Sequence, residues 1–171
     1  MSRWTQALGL TPESLVTAAR TTLGTVIAAL AARLLRLPEF YWAPISTIVI
    51  LLSTIDPLTL AWQRFAGTAV GALLGAFIAS IPHHDALSFN WAIYGAGIFV
   101  CGMVSSALRL RSAYRFAAIT LTIVLLIPHR SAPWIIATHR FIEVSLGIAI
   151  ALLITLTWRV PAPAVPAKRT L

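Results

Sequence analysis

Apolar residues run along this chain in long stretches broken by single charges, and the stretches have helical rather than strand length. Reading between the charges gives six candidate membrane spans, at roughly 14–36, 40–56, 62–81, 89–109, 113–128 and 137–158. A helix needs about 20 residues to cross the hydrocarbon core, so the second and fifth are short. The connections are brief, which predicts one integral membrane domain over residues 1–160 without a soluble domain. The stretch PAPAVPAKRTL, residues 161–171, is broken by prolines and reads as a disordered tail. Near the start, Thr11-Pro12-Glu13 reads as a helix beginning: a capping hydroxyl, proline at the first helical position, and an acid at the dipole's positive end. No uninterrupted apolar core with a small-residue cleavage site precedes it, so the first helix is expected to be retained.

Composition fixes the solvent. Charged residues make up 11% of the chain and hydrophobic ones 58%, whereas an ordinary soluble domain carries about 25% charged residues. So few charges cannot cover a water-facing surface; the chain is read as an all-α membrane protein whose first partner is the lipid bilayer. The net charge of +8 is scattered between apolar runs and forms no stripe, which argues against nucleic acid. Topology accounts for it instead. With a cytoplasmic N-terminus the inner side holds Arg3, Arg20, Arg64, Arg109, Arg111, Arg115, Arg159, Lys168 and Arg169, and the outer side Arg33, Arg36, Arg130 and Arg140. That asymmetry predicts both termini cytoplasmic. Trp4, Trp42, Trp62, Trp91, Trp134 and Trp158 fall at or near span ends, where amphipathic rings settle. Cys101 stands alone in an apolar run and reads as a small buried hydrophobe. His83, His84, His129 and His139 gather on the outer side without ligand spacing, so no metal is expected.

The third span, WQRFAGTAVGALLGAFIAS, places Gly67, Gly71 and Gly75 four residues apart behind Arg64. Glycine costs about 1 kcal/mol in a water-exposed helix. Between helices in lipid it permits close backbone contact, so this stripe predicts a helix-packing face. Arg64 reads either as a snorkelling anchor or as an anion site formed with the positive end of its helix. A second copy sharpens the latter. In HRFIEVSLGIAIALL, Arg140-Phe141 matches Arg64-Phe65 and Gly147 matches Gly71; upstream, Thr47-Ile48-Val49 matches Thr122-Ile123-Val124. The echo divides the chain into three-helix units, 1–82 and 83–160. An odd number of spans per unit makes them inverted repeats, a common transporter plan. A six-transmembrane-helix bundle built from two three-helix inverted repeats is therefore expected.

Other polar positions fall around these. Arg20 and Arg33 lie about 20 Å apart along the first span; Arg20 is expected to face the bundle interior and Arg33 to snorkel. Glu143 is the acid well inside a span, three residues after Arg140, and reads as a local ion pair or as a proton-coupling carboxylate. Pro44 in YWAPISTIVILL is expected to bend or break the second span near Ala43. Ser46 and Thr47 beyond it offer hydroxyls either to a cavity or to their own helix. The candidate substrate-binding residues are Arg64, Arg140, Arg20, Thr47 and Tyr41. No nucleophile–base pair, carboxylate dyad or phosphate loop appears. The chain is not read as an enzyme, no cofactor is expected, and any transport would run on gradients.

Several of these stretches resemble one known family. RTTLGTVIAALAA, FYWAPISTIVILLS, QRFAGTAVGALLGAFIA, AYRFAAITLTIVLL and HRFIEVSLGIAIALLI resemble the fusaric-acid-resistance-like family, also called aromatic acid exporters, over residues from about 15 to 158. The pieces that carry it are YWAP, Arg64 with Gly67, Thr68 and Gly71, and Arg140 with Glu143 and Gly147. The plant aluminium-activated malate transporters are similar in membrane plan. The resemblance implies a bacterial inner-membrane six-helix bundle, a homodimer, moving small organic anions such as aromatic carboxylates outward. Many members add a cytoplasmic domain or duplicate the membrane unit; the resemblance here is carried by the membrane unit. A non-transporting assembly subunit and a passive anion channel remain as alternatives.

Overall fold

The structure is a computed structural model and describes residues 11–81, 91–127 and 131–158. The expected tail, the boundary between the units at 82/83, and His83, His84 and His129 lie outside the described residues. Among the described residues there are six α-helices, one 3-10 turn and no strand. They are α1 (Pro12–Leu34), α2 (Trp42–Leu51), α3 (Pro57–Ala79), α4 (Trp91–Ala107), α5 (Tyr114–Leu126, preceded by the turn Arg111–Ala113) and α6 (Pro133–Thr157).

Helix starts follow local chemistry. Thr11 caps α1 in a capping box with Ser14, and Pro12 takes the first helical position. Asp56 caps α3 by accepting the Thr59 amide at 2.8 Å, with Pro57 beside it. Asp56-Pro57 thus begins the third helix. Pro133 likewise opens α6. Pro44 does not break α2: the helix begins at Trp42, so Pro44 stands in its first turn, where the backbone amide has no intrahelical acceptor to lose.

The ends of α1 and α4 are built alike. Arg36 and Arg109 adopt left-handed backbone, with φ 53° and 57°. At the first, the Leu37 amide reaches back to the Ala32 carbonyl; at the second, the Leu110 amide reaches back to that of Ser105. Both are Schellman-type closures made without glycine.

Two helices, α1 and α6, are long and apolar enough to cross a membrane. Large apolar side chains on the outside of the bundle, among them Leu23, Leu30, Leu73, Phe77, Phe99 and Leu153, are more than four-tenths exposed. Such a belt is tolerated when the surrounding solvent is lipid. The second and fifth helices are short, as their apolar runs led one to expect. With 10 and 13 residues, α2 and α5 extend about 15 and 20 Å and fall short of a ~30 Å core.

Packing interlaces the first three helices with the last three. Along α3, Gly67, Gly71 and Gly75 meet Ala113, Ala117 and then Val124, so α3 and α5 run parallel. A Cβ at Gly71 would run into the carbonyl oxygen of Ala117. Glycine is required there because backbone meets backbone. The same holds at Gly147 of α6, where a Cβ would strike the carbonyl oxygen of Ala43 on α2. Between α3 and α6 the order reverses: Phe65 stacks against Phe141 at 4.9 Å, while further along α3 Ala72 and Ala76 pack with Ala137. These two helices are antiparallel. Gly24, which no motif singled out, lies where α1 meets Thr47 and Leu51 of α2 and Ile154 of α6.

Candidate functional site

Arg64 and Arg140 each stand seven residues after the proline that opens their helix. That is about 10 Å inside, beyond the first turn to which the macrodipole's influence is confined. The expected pairing of arginine with a helix N-terminus is therefore corrected; what holds these cations is side-chain surroundings. Neither snorkels. Arg64 is 8% exposed and Arg140 2%. Phe65 and Phe141, the next residue of each helix, touch across the α3–α6 crossing, and the two guanidinium groups lie within electrostatic range of each other.

Arg140 is surrounded by acids and an indole. Its guanidinium lies 3.5 Å from the centre of the Trp42 ring, a desolvated cation–π contact of a kind valued at about 2 kcal/mol. Its ion-pair partner is Glu39, in the α1–α2 connection, at 3.9 Å. This corrects the expected local pair with Glu143. The Glu143 carboxylate instead accepts the Glu39 backbone amide on Oε1 at 2.9 Å, and Glu39 in turn accepts the Trp42 indole N–H at 2.8 Å. Glu143 is fully buried, and its Oε2 has no hydrogen-bond partner; neither have Nε and Nη1 of Arg140. Tyr41, 43% exposed, caps α2 at the edge of this cluster, its ring tilted against Trp42 at 5.4 Å.

Arg64 has aromatic company but no acid. Its guanidinium lies 5.1 Å from the centre of the Phe116 ring, and Arg115 covers the same ring at 4.7 Å. Among the described residues no carboxylate pairs with Arg64, and its buried Nε has no acceptor. Three residues beyond Arg140 stands Glu143; three beyond Arg64 stands Gly67. A Cβ at Gly67 would meet the Ala113 carbonyl oxygen and the Phe116 Cβ. No acid fits there.

Two other candidates are not brought to this cluster. Arg20 is half-buried and faces the interior as expected, donating to the Thr155 hydroxyl at 2.7 Å. Thr155 is about 22 Å along α6 from Arg140, so Arg20 does not share a site with it. The Thr47 hydroxyl is buried and points its proton at the carbonyls of Ala43 (3.1 Å) and Gly147 (3.0 Å). It ties α2 to α6. Ser46 bonds back to the Trp42 carbonyl of its own helix. Arg33 is exposed and lies over the Phe40 ring at 5.5 Å. Cys101 packs with Ala117 and Leu121 as a small apolar residue.

Glu39 is the residue that sequence reading passed over. Its signal was available: one of five acids in the chain, set directly before Phe40-Tyr41-Trp42.

Recesses are apolar. One of about 490 Å³ lies between α4 and α5, lined by Tyr94, Ile98, Ile119 and Thr122 among others, and holds no charge. A second, about 250 Å³, lies between α3 and α6 with Phe141, Ala72 and Ala137 in its wall, one residue from Arg140.

No curated protein and no solved structure matches the chain. A family described as fusaric acid resistance protein-like matches residues 25–154, which include Glu39, Arg64, Arg140 and Glu143. Built on buried arginines inside a lipid-facing helical bundle, the chain belongs to the fusaric acid resistance protein-like family of membrane proteins.

Proposed function

We propose that this protein is a secondary transporter that moves small organic anions, aromatic carboxylates among them, across a bacterial inner membrane. One observation carries the reading: Arg64 is a cation removed from water with no carboxylate to balance it. An unpaired buried charge is among the most expensive things a fold can hold, and an arriving anion relieves that cost. The arginine forks match a carboxylate's two oxygens, and Phe65, Phe116, Phe141 and Trp42 offer aromatic faces to the rest of such a solute.

The architecture supports alternating access. Paired closures at Arg36 and Arg109, paired glycine contacts at Gly71 and Gly147, and arginines in one register on α3 and α6 fit two inverted three-helix repeats. Phe65 and Phe141 would then lie near the axis relating them. The described conformation is closed around the charges. The arginine asymmetry supports cytoplasmic termini, and the family resemblance supports a homodimer.

The test is uptake of labelled benzoate by vesicles containing the purified protein. Wild type should transport, and Arg64→Ala should fall at least about tenfold, equivalent to 1.4 kcal/mol. Unchanged flux in Arg64→Ala removes the arginine's role. Absence of flux from folded wild type removes the transporter reading and favours an assembly subunit.

A further inference from the structure

By formal charge two arginines, Arg64 and Arg140, stand against two acids, the buried Glu143 and the part-buried Glu39, although no carboxylate among the described residues pairs with Arg64. Resting on the organic-anion reading above, we propose that Glu39 and Glu143 share one exchangeable proton, taken up when an anion engages the arginines.

The placement of the groups leads there. Glu143 is fully buried, with one oxygen on the Glu39 amide and the other, Oε2, facing no donor. An oxygen left without a donor is poorly used as a carboxylate and well used as a protonated acid, which supplies its own O–H. An anion brought beside Arg140 leaves the enclosed set one negative charge in excess, away from water. The nearest way to restore balance is a proton on one of the two acids. It comes from solvent by way of Glu39, whose side chain is 17% exposed, and is held by the pair. No covalent bond other than O–H forms or breaks.

The groups facing Glu143 are few. Arg140 and, one turn before Glu143, His139 share its helix; Glu39 and Tyr41 come from the α1–α2 connection. The helix α2 has no ionisable residue, α3 contributes only Arg64, and α5 only Tyr114 and Arg115, the latter stacked on Phe116 beside Arg64. From α1, Arg20 faces α6 but binds Thr155, far along the helix. Arg140 therefore chooses between the acids and the incoming anion, and protonation frees it for the anion. Proton and anion favour each other's binding, and by linkage the effect is reciprocal.

The probe is benzoate binding to the full-length protein in detergent. Calorimetry in buffers of different ionisation enthalpy counts the protons. Wild type should take up about one proton per benzoate, and its affinity should fall about tenfold per pH unit once the pair has titrated. Glu143→Gln and Glu39→Gln each mimic the protonated pair. Each should bind benzoate in alkali as tightly as wild type does in acid, without proton uptake. Benzoate binding by wild type with no proton uptake overturns this inference and leaves the anion reading standing. A full pH slope retained in both variants overturns it equally. No benzoate binding at any pH overturns both readings together. The wild-type proton count decides the matter even where a variant does not fold.

Discussion

Arg140 and Arg64 occupy the same register on two helices that cross, yet their surroundings differ in kind. Arg140 lies on an indole with Glu39 beside it and Glu143 one turn along. Arg64 lies on a phenyl ring with Gly67 where an acid would be. The difference shows how one backbone plan yields a neutralised charge on one side and an available charge on the other. It comes from packing: α3 approaches α5 so closely at Gly67 that any side chain is excluded.

The largest expected effect separates the two arginines by stability. Arg140→Ala strands the buried Glu143 and the part-buried Glu39 and should destabilise the fold by about 3–5 kcal/mol, the usual penalty for breaking a buried ion pair. Arg64→Ala removes an unbalanced cation and should stay within about 1 kcal/mol of wild type, read as thermal unfolding in detergent. Equal losses would mean that Arg64 has a counter-charge after all.

A smaller effect tests whether the backbone contacts match although the charges do not. Gly71→Ala and Gly147→Ala each push a methyl into a neighbouring carbonyl, and each should lose about 1–3 kcal/mol. At Gly95 a Cβ meets nothing within 4 Å, so Gly95→Ala should be neutral or stabilising by up to about 1 kcal/mol. A large gap between Gly71 and Gly147 would break the parallel between the two crossings.

Below that comes the Thr47 tie from α2 to α6; on α5 the matching Thr122 donates to Ala118 of its own helix and meets the Tyr94 hydroxyl of α4 instead. Thr47→Val should lose about 0.6 kcal/mol, typical of an interhelical hydrogen bond in a bilayer. The smallest effect concerns the helix starts, since Asp56 caps α3 whereas Ala132 gives α6 no side-chain cap. Bonds from the Thr59 amide, and then its hydroxyl, hold the Asp56 carboxyl below the usual carboxylate range. Its contribution is thus present above the unfolded-state value and lost as pH falls through the lower folded one. The stability difference between wild type and Asp56→Ala should be small at neutral pH and vanish in acid. A difference that grows in acid would remove the capping role.

Much of the fold could be read from the chain because lipid makes helix the cheap answer for an apolar run. Thr11-Pro12 located the first helix start, and the glycine stripe pointed to a contact face. The starts at Pro57 and Pro133 were missed, since reading between charges overlooks a polar cap followed by proline. Pro44 was misread for a related reason: its effect depends on whether the helix has already begun. The arginines stood out as charges in apolar runs. Their pairing did not, because Glu39 and Glu143 meet only after the chain has turned four more times. Which acid neutralises which arginine is decided by packing between distant segments, and local spacing favoured the wrong pair.

The two half-length helices carry a physical consequence for the surrounding lipid. Polar ends of α2, with Glu39 and Tyr41 before it and Ser53 and Asp56 after it, sit closer together than two ordinary headgroup layers. Headgroups meeting both ends would have to dip, which would pinch the bilayer beside α2 and, to a lesser degree, α5. Such a pinch would thin the dry layer beside the buried charges.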